Sequence, residues 1–203
     1  MYFCIVNIKK RIIVIGDVHG KLNQYLEILQ KYPNHSSIQV GDFGFQKEHD
    51  WHLKNINSDN HKINFGNHDY YPYLFEKHSL ENFSLINNEI ITIRGAWSID
   101  RANRIEGIDW FATEEMNYAD MNAALDFYEA NKPRIVISHD CPHDIRKLLF
   151  GIEEKSITTN GLQAMLEIHK PELWVFGHHH VSVNETIDGT RFRCLAELET
   201  MEL

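Results

Sequence analysis

Cysteine is scarce in this chain. Of 203 residues only Cys4, Cys141 and Cys194 are cysteines, an odd number with no CxxC pair. That excludes a disulfide framework and a zinc-finger spacing, and reads as reduced thiols. Long apolar runs are missing too, since nothing approaches the ~18 residues of a membrane span. The stretch Tyr2–Ile8 is too short for a secretory leader, and Lys9, Lys10 and Arg11 follow it where a leader carries its charges ahead. A soluble, cytoplasmic protein with no membrane partner is expected. Basic charge is in deficit: 20 Lys and Arg against 29 Asp and Glu leave a net charge of −9. No general attraction to nucleic acid or anionic lipid is expected on that balance. No Pro/Gly/Ser-rich linker, internal repeat or low-complexity tract divides the chain, so residues 1–203 read as one domain. A chain of this size buries roughly 70% of its surface on folding and needs no staples. What is present in excess is histidine, thirteen in all, which points to an imidazole-rich site.

Short apolar runs recur, and each stops at a glycine, histidine or aspartate. Arg11–Ile15 ends at Gly16-Asp17, Ser37–Val40 at Gly41-Asp42, and Lys62–Phe65 at Gly66-Asn67. Arg134–Ile137 ends at Ser138-His139, and Leu173–Phe176 at Gly177-His178. Their lack of alternation is that of buried strands. Helical spacing fills the gaps: Leu22, Tyr25, Leu26 and Leu29 before Pro33, then Met121, Ala124, Leu125 and Tyr128 before Pro133. Leu162, Met165, Leu166 and His169 repeat it before Pro171. A further strand is expected over Glu89–Ile93, and Val181–Ile187, Asp188-Gly189 and Thr190–Leu195 make a hairpin signal. The chain is therefore an α/β protein with a largely parallel sheet, whose ligands gather beyond the carboxyl ends of the strands.

Five segments at those ends carry the chemistry: Gly16-Asp17-Val18-His19-Gly20, Gly41-Asp42-Phe43-Gly44, Gly66-Asn67-His68-Asp69, Ser138-His139-Asp140 and Gly177-His178-His179-His180. Oxygen and imidazole donors without thiolate suit Mn, Fe, Zn, Co or Ni. Seven or eight such donors are too many for one ion, but they suit two ions that share a carboxylate. The glycines let the backbone turn sharply and approach closely.

These segments resemble the calcineurin-like metallophosphoesterases, whose pattern is D-x-H, GD, GNH[DE], a lone H and GHxH. The resemblance runs from Arg11 to about Leu195 and fills every ligand position. It implies a four-layer αββα sandwich, two mixed sheets flanked by helices. It also implies one ion on Asp17, His19, Asp42 and His180, and a second on Asp42, Asn67, His139 and His178. Manganese is the first choice of metal, and His68 is the residue that acts on substrate. The longer GDxVDRG motif of phosphoprotein phosphatases is missing, because Phe43-Gly44-Phe45 follows Asp42. Ser138 stands where glycine is common, and His179 where a small hydroxyl residue is common. That separates the chain from the phosphoprotein phosphatase branch.

The activity implied is hydrolysis of a phosphate ester by metal-activated hydroxide, with His68 protonating the leaving oxygen. A phosphomonoester of a nucleotide, metabolite or phosphoprotein is the favoured substrate. A phosphodiester of a cyclic nucleotide or nucleic acid is the alternative, and a non-catalytic scaffold of the same fold is the third reading. In Arg94–Trp110, Arg101 or Arg104 is the candidate to grip phosphate, with Trp97 walling the pocket; the plainer reading is a surface loop. Glu114-Glu115 reads as a helix N-terminal acidic pair, and Cys141 as a small buried filler. In a strand His179 points away from His178 and His180, so it is expected to lie outside the ligand set. His35, His49, His52, His61, His78, His143 and His169 read as structural or solvated.

Overall fold

A computed structural model of the chain describes residues 3–6, 8, 11–44, 56–73 and 77–203. Lys9, Lys10, Phe45, His49 and His52 lie outside the described residues. The chain begins with β1 (Phe3–Val6), β2 (Arg11–Ile15), α1 (Leu22–Lys31), β3 (His35–Gln39) and β4 (His61–Ile63). It continues through β5 (Phe83–Ile86), β6 (Ile90–Ile93), α2 (Tyr118–Asn131), β7 (Ile135–Ser138), α3 (His143–Phe150) and α4 (Ile157–Ile168). β8 (Leu173–Phe176), β9 (Val183–Ile187), β10 (Thr190–Cys194) and β11 (Thr200–Glu202) complete it.

The strands form a seven-stranded sheet, ordered β1-β5-β6-β7-β8-β10-β9, and a four-stranded sheet, ordered β11-β2-β3-β4. Both are mixed: β6, β7 and β8 run parallel while β9 and β10 are antiparallel, and β2, β3 and β4 run parallel while β11 is antiparallel to β2. Side chains alternate across each strand, so the central strands feed two apolar layers. Ile12 and Val14 of β2 meet Ile135, Ile137 and Val175 of the other sheet. Ile13 and Ile15 face the other way, onto Leu22 and Tyr25 of α1. Val136, Trp174 and Phe176 turn from the inner layer towards Met121 and Tyr128 of α2 and Leu162 and Met165 of α4. The order helix, sheet, sheet, helix is the four-layer sandwich expected from the sequence.

β2 and β8 have the predicted limits, whereas β3 and β4 stop short of theirs, because Val40 and Asn64 already lead into the loops beyond. Asn117 caps α2 by accepting from Asp120 N at 2.9 Å. Ser156 and Thr159 close a reciprocal capping box on α4, at 3.0 and 3.1 Å. The hairpin turns at Asp188 and Gly189, with φ of 50° and 91°, both in the left-handed region that a type I′ turn requires. β1, β5, α3 and β11 have no counterpart in the sequence reading. Among the described residues no helix is long and apolar enough to cross a membrane.

Candidate functional site

The loops that leave β2, β3, β4, β7 and β8 converge at one edge of the two sheets. They bring Asp17 and His19, Asp42, Asn67 and His68, His139, and His178 and His180 together. Four of these residues have left-handed backbones: His19 (φ 46°), Asp42 (55°), His178 (66°) and His180 (54°). Side-chain-bearing residues seldom adopt that region, and the strain concentrates where side chains must be aimed. Glycine makes the room: a Cβ on Gly66 would strike Asp42 Oδ1 and His139 Nε2, and one on Gly177 would strike Asp17 Oδ1.

Two groups of donors result, each compact enough to hold one cation, and Asp42 belongs to both. In the first, His19 Nε2 and His180 Nε2 face each other at 2.9 Å. His180 Nε2 is 3.3 Å from Asp17 Oδ2, and His19 Nε2 is 3.8 Å from both Asp17 Oδ2 and Asp42 Oδ2. In the second, which also holds His178, His139 Nε2 lies 3.3 Å from Asp42 Oδ1 and 3.2 Å from Asn67 Oδ1. Asp42 Oδ1 accepts from His68 N, but Asp42 Oδ2 is buried with no hydrogen-bond partner. A buried carboxylate oxygen left without a donor is costly. Compact oxygen and imidazole donor groups with an orphaned anionic oxygen on their shared carboxylate suit divalent cations. Burial would raise the Asp42 carboxyl, but His139, His68 and His178 outweigh it and hold it well below the usual range. Burial pushes His178 down to about 4, which leaves a neutral imidazole donor.

His68 stands at the exposed rim, with its ring edge-on to His19 at 5.5 Å. Arg104 reaches it from the 94–110 segment, where Asp100 holds the guanidinium at 2.8 Å. Partial desolvation of the ring first, then Arg104 and His19, lower His68 below its ordinary value. Arg101 lies instead over the Trp97 ring, 5.2 Å from its centroid.

Sequence reasoning passed over several residues that build this site. Asp69 accepts from three backbone N–H groups, Asp42 N, Gly44 N and Gly66 N, at 2.8 to 2.9 Å, and so clamps the two loops together. Its place in GNHD was the available signal. Glu114 closes a short 3-10 turn over Ala112–Glu114, is buried, and accepts from Ser98 N and Oγ. Glu115 does serve a helix N-terminus, that of α4, where it accepts from Thr158 N at 2.9 Å. His179 departs from the strand expectation: residues 177–180 form no strand, and its ring stacks on Phe150 at 3.9 Å with Nε2 3.3 Å from Asp140 Oδ1. Asp140, Cys141 and His179 form a third compact group, which Arg146 already approaches at 4.0 Å from Asp140 Oδ2. Burial and Asp140 push the Cys141 thiol well above its ordinary value. Of the lone histidines, His61 Nδ1 meets Ser37 Oγ at 2.9 Å and His169 Nε2 meets Pro133 O at 3.1 Å.

The profile of the calcineurin-like phosphoesterases matches residues 10–182. No curated protein matches the chain. Among solved structures, a dimetal phosphatase from Danio rerio superposes with a TM-score of 0.56 at 12% identity, covering 93% of this chain and 88% of that one. Phosphopantetheinyl hydrolase from Mycobacterium tuberculosis superposes with a TM-score of 0.52 at 14% identity, covering 92% of this chain and 89% of that one. At such identities the likeness is one of fold.

Proposed function

Because the chain belongs to the calcineurin-like phosphoesterase family, we propose that it hydrolyses a phosphomonoester with two divalent ions. One ion would sit on Asp17, His19, Asp42 and His180, the other on Asp42, Asn67, His139 and His178. The observation that carries this reading is Asp42: it belongs to both donor groups and keeps one buried oxygen free of any hydrogen bond. When bound, divalent ions supply Lewis acidity to a phosphate and a water-derived nucleophile at neutral pH.

The side chains around them divide the remaining work. Arg104 grips a phosphate oxygen with its planar fork, and Asp100 keeps the fork in place. His68 delivers a proton to the leaving oxygen from a ring nitrogen, once the phosphate has drawn Arg104 away from it. Trp97, packed under Arg101, walls the approach. A monoester suits this arrangement better than a polynucleotide, because the added cation is local while the whole chain carries −9.

The test is hydrolysis of p-nitrophenyl phosphate against bis-p-nitrophenyl phosphate by chelator-stripped protein with Mn²⁺ restored. Faster turnover of the monoester, dependent on Mn²⁺, is expected. Turnover of the diester alone would favour a phosphodiesterase, and turnover of neither would favour a scaffold.

A further inference from the structure

Asn67 is an ambiguous donor for a cation. Its side chain ends in a carbonyl oxygen that can bind an ion and an NH₂ that cannot, and a half-turn about the last bond exchanges them. Something must decide which end faces His139 and Asp42.

Behind Asn67 runs a buried hydrogen-bond chain that the mechanism above does not use. Asn67 Nδ2 donates to Ser98 Oγ at 3.0 Å, and Ser98 Oγ donates to Glu114 Oε2 at 2.6 Å. Ser98 N donates to the other oxygen, Glu114 Oε1, at 2.9 Å. All three residues are buried, at 3%, 1% and 2% exposure for Asn67, Ser98 and Glu114, so water cannot substitute for a missing partner. The polarity of the chain is fixed from its far end. An ionised Glu114 only accepts, so it takes the one hydroxyl proton that Ser98 has. Ser98 Oγ is then left with lone pairs alone on the side of Asn67 and can pair only with the NH₂ end. The carbonyl end is thereby turned towards His139 Nε2, 3.2 Å away. Tyr71 ties the same parts together through the backbone, its hydroxyl 3.0 Å from Gly66 O and 2.8 Å from Glu114 O.

We infer that Ser98 and Glu114 are positioning residues for the second cation: they set the orientation of the Asn67 amide, so that an oxygen and not an NH₂ group completes that donor set. The inference rests on the two-ion reading. It predicts a directional effect that simple packing would not produce. In Glu114→Gln the new amide can donate to Ser98 Oγ. The Ser98 proton is then freed for Asn67, which would favour the reversed amide. Ser98→Ala removes the acceptor and leaves the amide unbiased, whereas Ser98→Thr keeps the hydroxyl.

The experiment is titration of chelator-stripped protein with Mn²⁺ alone, read by calorimetry and by metal content after gel filtration, with thermal unfolding of the metal-free variants alongside. Wild type is expected to bind two ions. Ser98→Ala and Glu114→Gln should bind the first as wild type does and the second about 10–100-fold more weakly, the usual cost of removing a partner of a metal ligand. Ser98→Thr should restore the second ion. Undiminished affinity for both ions in Ser98→Ala and Glu114→Gln would overturn the inference and leave the two-ion reading standing. Equal loss of both ions with a lowered melting temperature would overturn it as well, because the chain would then support the fold and not the amide. A wild-type chain that takes up no Mn²⁺ would sink the two-ion reading and this inference with it.

Discussion

The guanidinium of Arg104 covers both ring nitrogens of His68, with Nη1 3.0 Å from Nδ1 and Nη2 3.2 Å from Nε2. Asp100 holds the same guanidinium at 2.8 Å, and Asp109 O accepts from it at 3.2 Å. A cation fixed on a loop beside a candidate proton donor is where a phosphate would be met. Its contact with His68 is one that an arriving anion can replace.

Arg104→Ala should therefore weaken substrate binding and leave metal binding alone. Hydrogen bonds to charged groups are worth roughly 1.5–3 kcal/mol, so kcat/KM should fall by about 10–100-fold. Most of that loss should lie in KM. Asp100→Asn should give a smaller loss in the same direction, since it loosens the anchor and keeps the cation. Steady-state kinetics on p-nitrophenyl phosphate with metal content measured in parallel decide the matter. Wild-type kinetics in Arg104→Ala would remove this residue from the site.

A second expectation concerns Asp42, whose Oδ2 is buried without a hydrogen-bond partner. Asp42→Asn keeps the shape and removes the charge that both donor groups share. Metal content should drop from two Mn²⁺ per chain to one or none, and turnover should go with it. Retention of two ions by the purified variant would show that Asp42 is not the bridge.

The thiols offer a check that is independent of any activity. Burial, with Asp140 nearby, pushes Cys141 well above its ordinary value, and burial pushes Cys194 up to about 12. A raised thiol pKa means a smaller thiolate fraction, and only the thiolate reacts. At pH 8 the native protein should expose at most Cys4, which is part-exposed, to Ellman's reagent within minutes. Denatured protein should titrate three thiols. Rapid reaction of two or more in the folded protein would contradict the buried placement of Cys141 and Cys194.

How far the sequence could be read depended on whether a feature was local. An apolar run that stops at Gly-Asp or Gly-His is a local signal for a strand that delivers a polar side chain, and Asp17, Asp42, Asn67, His139 and His178 were all legible by it. The hairpin was legible for the same reason, since Asp188-Gly189 suits the turn it makes. β11 was not, because its three residues acquire meaning only by pairing with β2, Met201 opposite Val14. Ser98 was not either: it lies 31 residues from Asn67, and nothing around it in the chain marks it. His179 stands in neither donor group that contains Asp42, yet the premise used to set it aside failed. Strand alternation was assumed, but His178 and His180 have φ of 66° and 54°, so the ring's direction is set by a loop and by Phe150.

The last prediction separates proton transfer from metal binding at adjacent residues. Asn67 faces His139, whereas the neighbouring His68 stands at the rim with its backbone N–H on Asp42 Oδ1 at 2.8 Å. That backbone bond survives any side-chain change, so His68→Asn should keep the loop in place and both ions bound. What it removes is a proton for the leaving oxygen, a contribution of roughly 10²–10⁴ in rate. The loss should depend on the leaving group, because an alkoxide departs poorly without a proton and p-nitrophenolate departs nearly unaided. Turnover of an alkyl phosphate should therefore fall much further than turnover of p-nitrophenyl phosphate. Equal losses on both substrates, with two ions retained, would mean that His68 holds the phosphate or the nucleophile in position. Loss of an ion would mean that His68 is a ligand and not a proton donor.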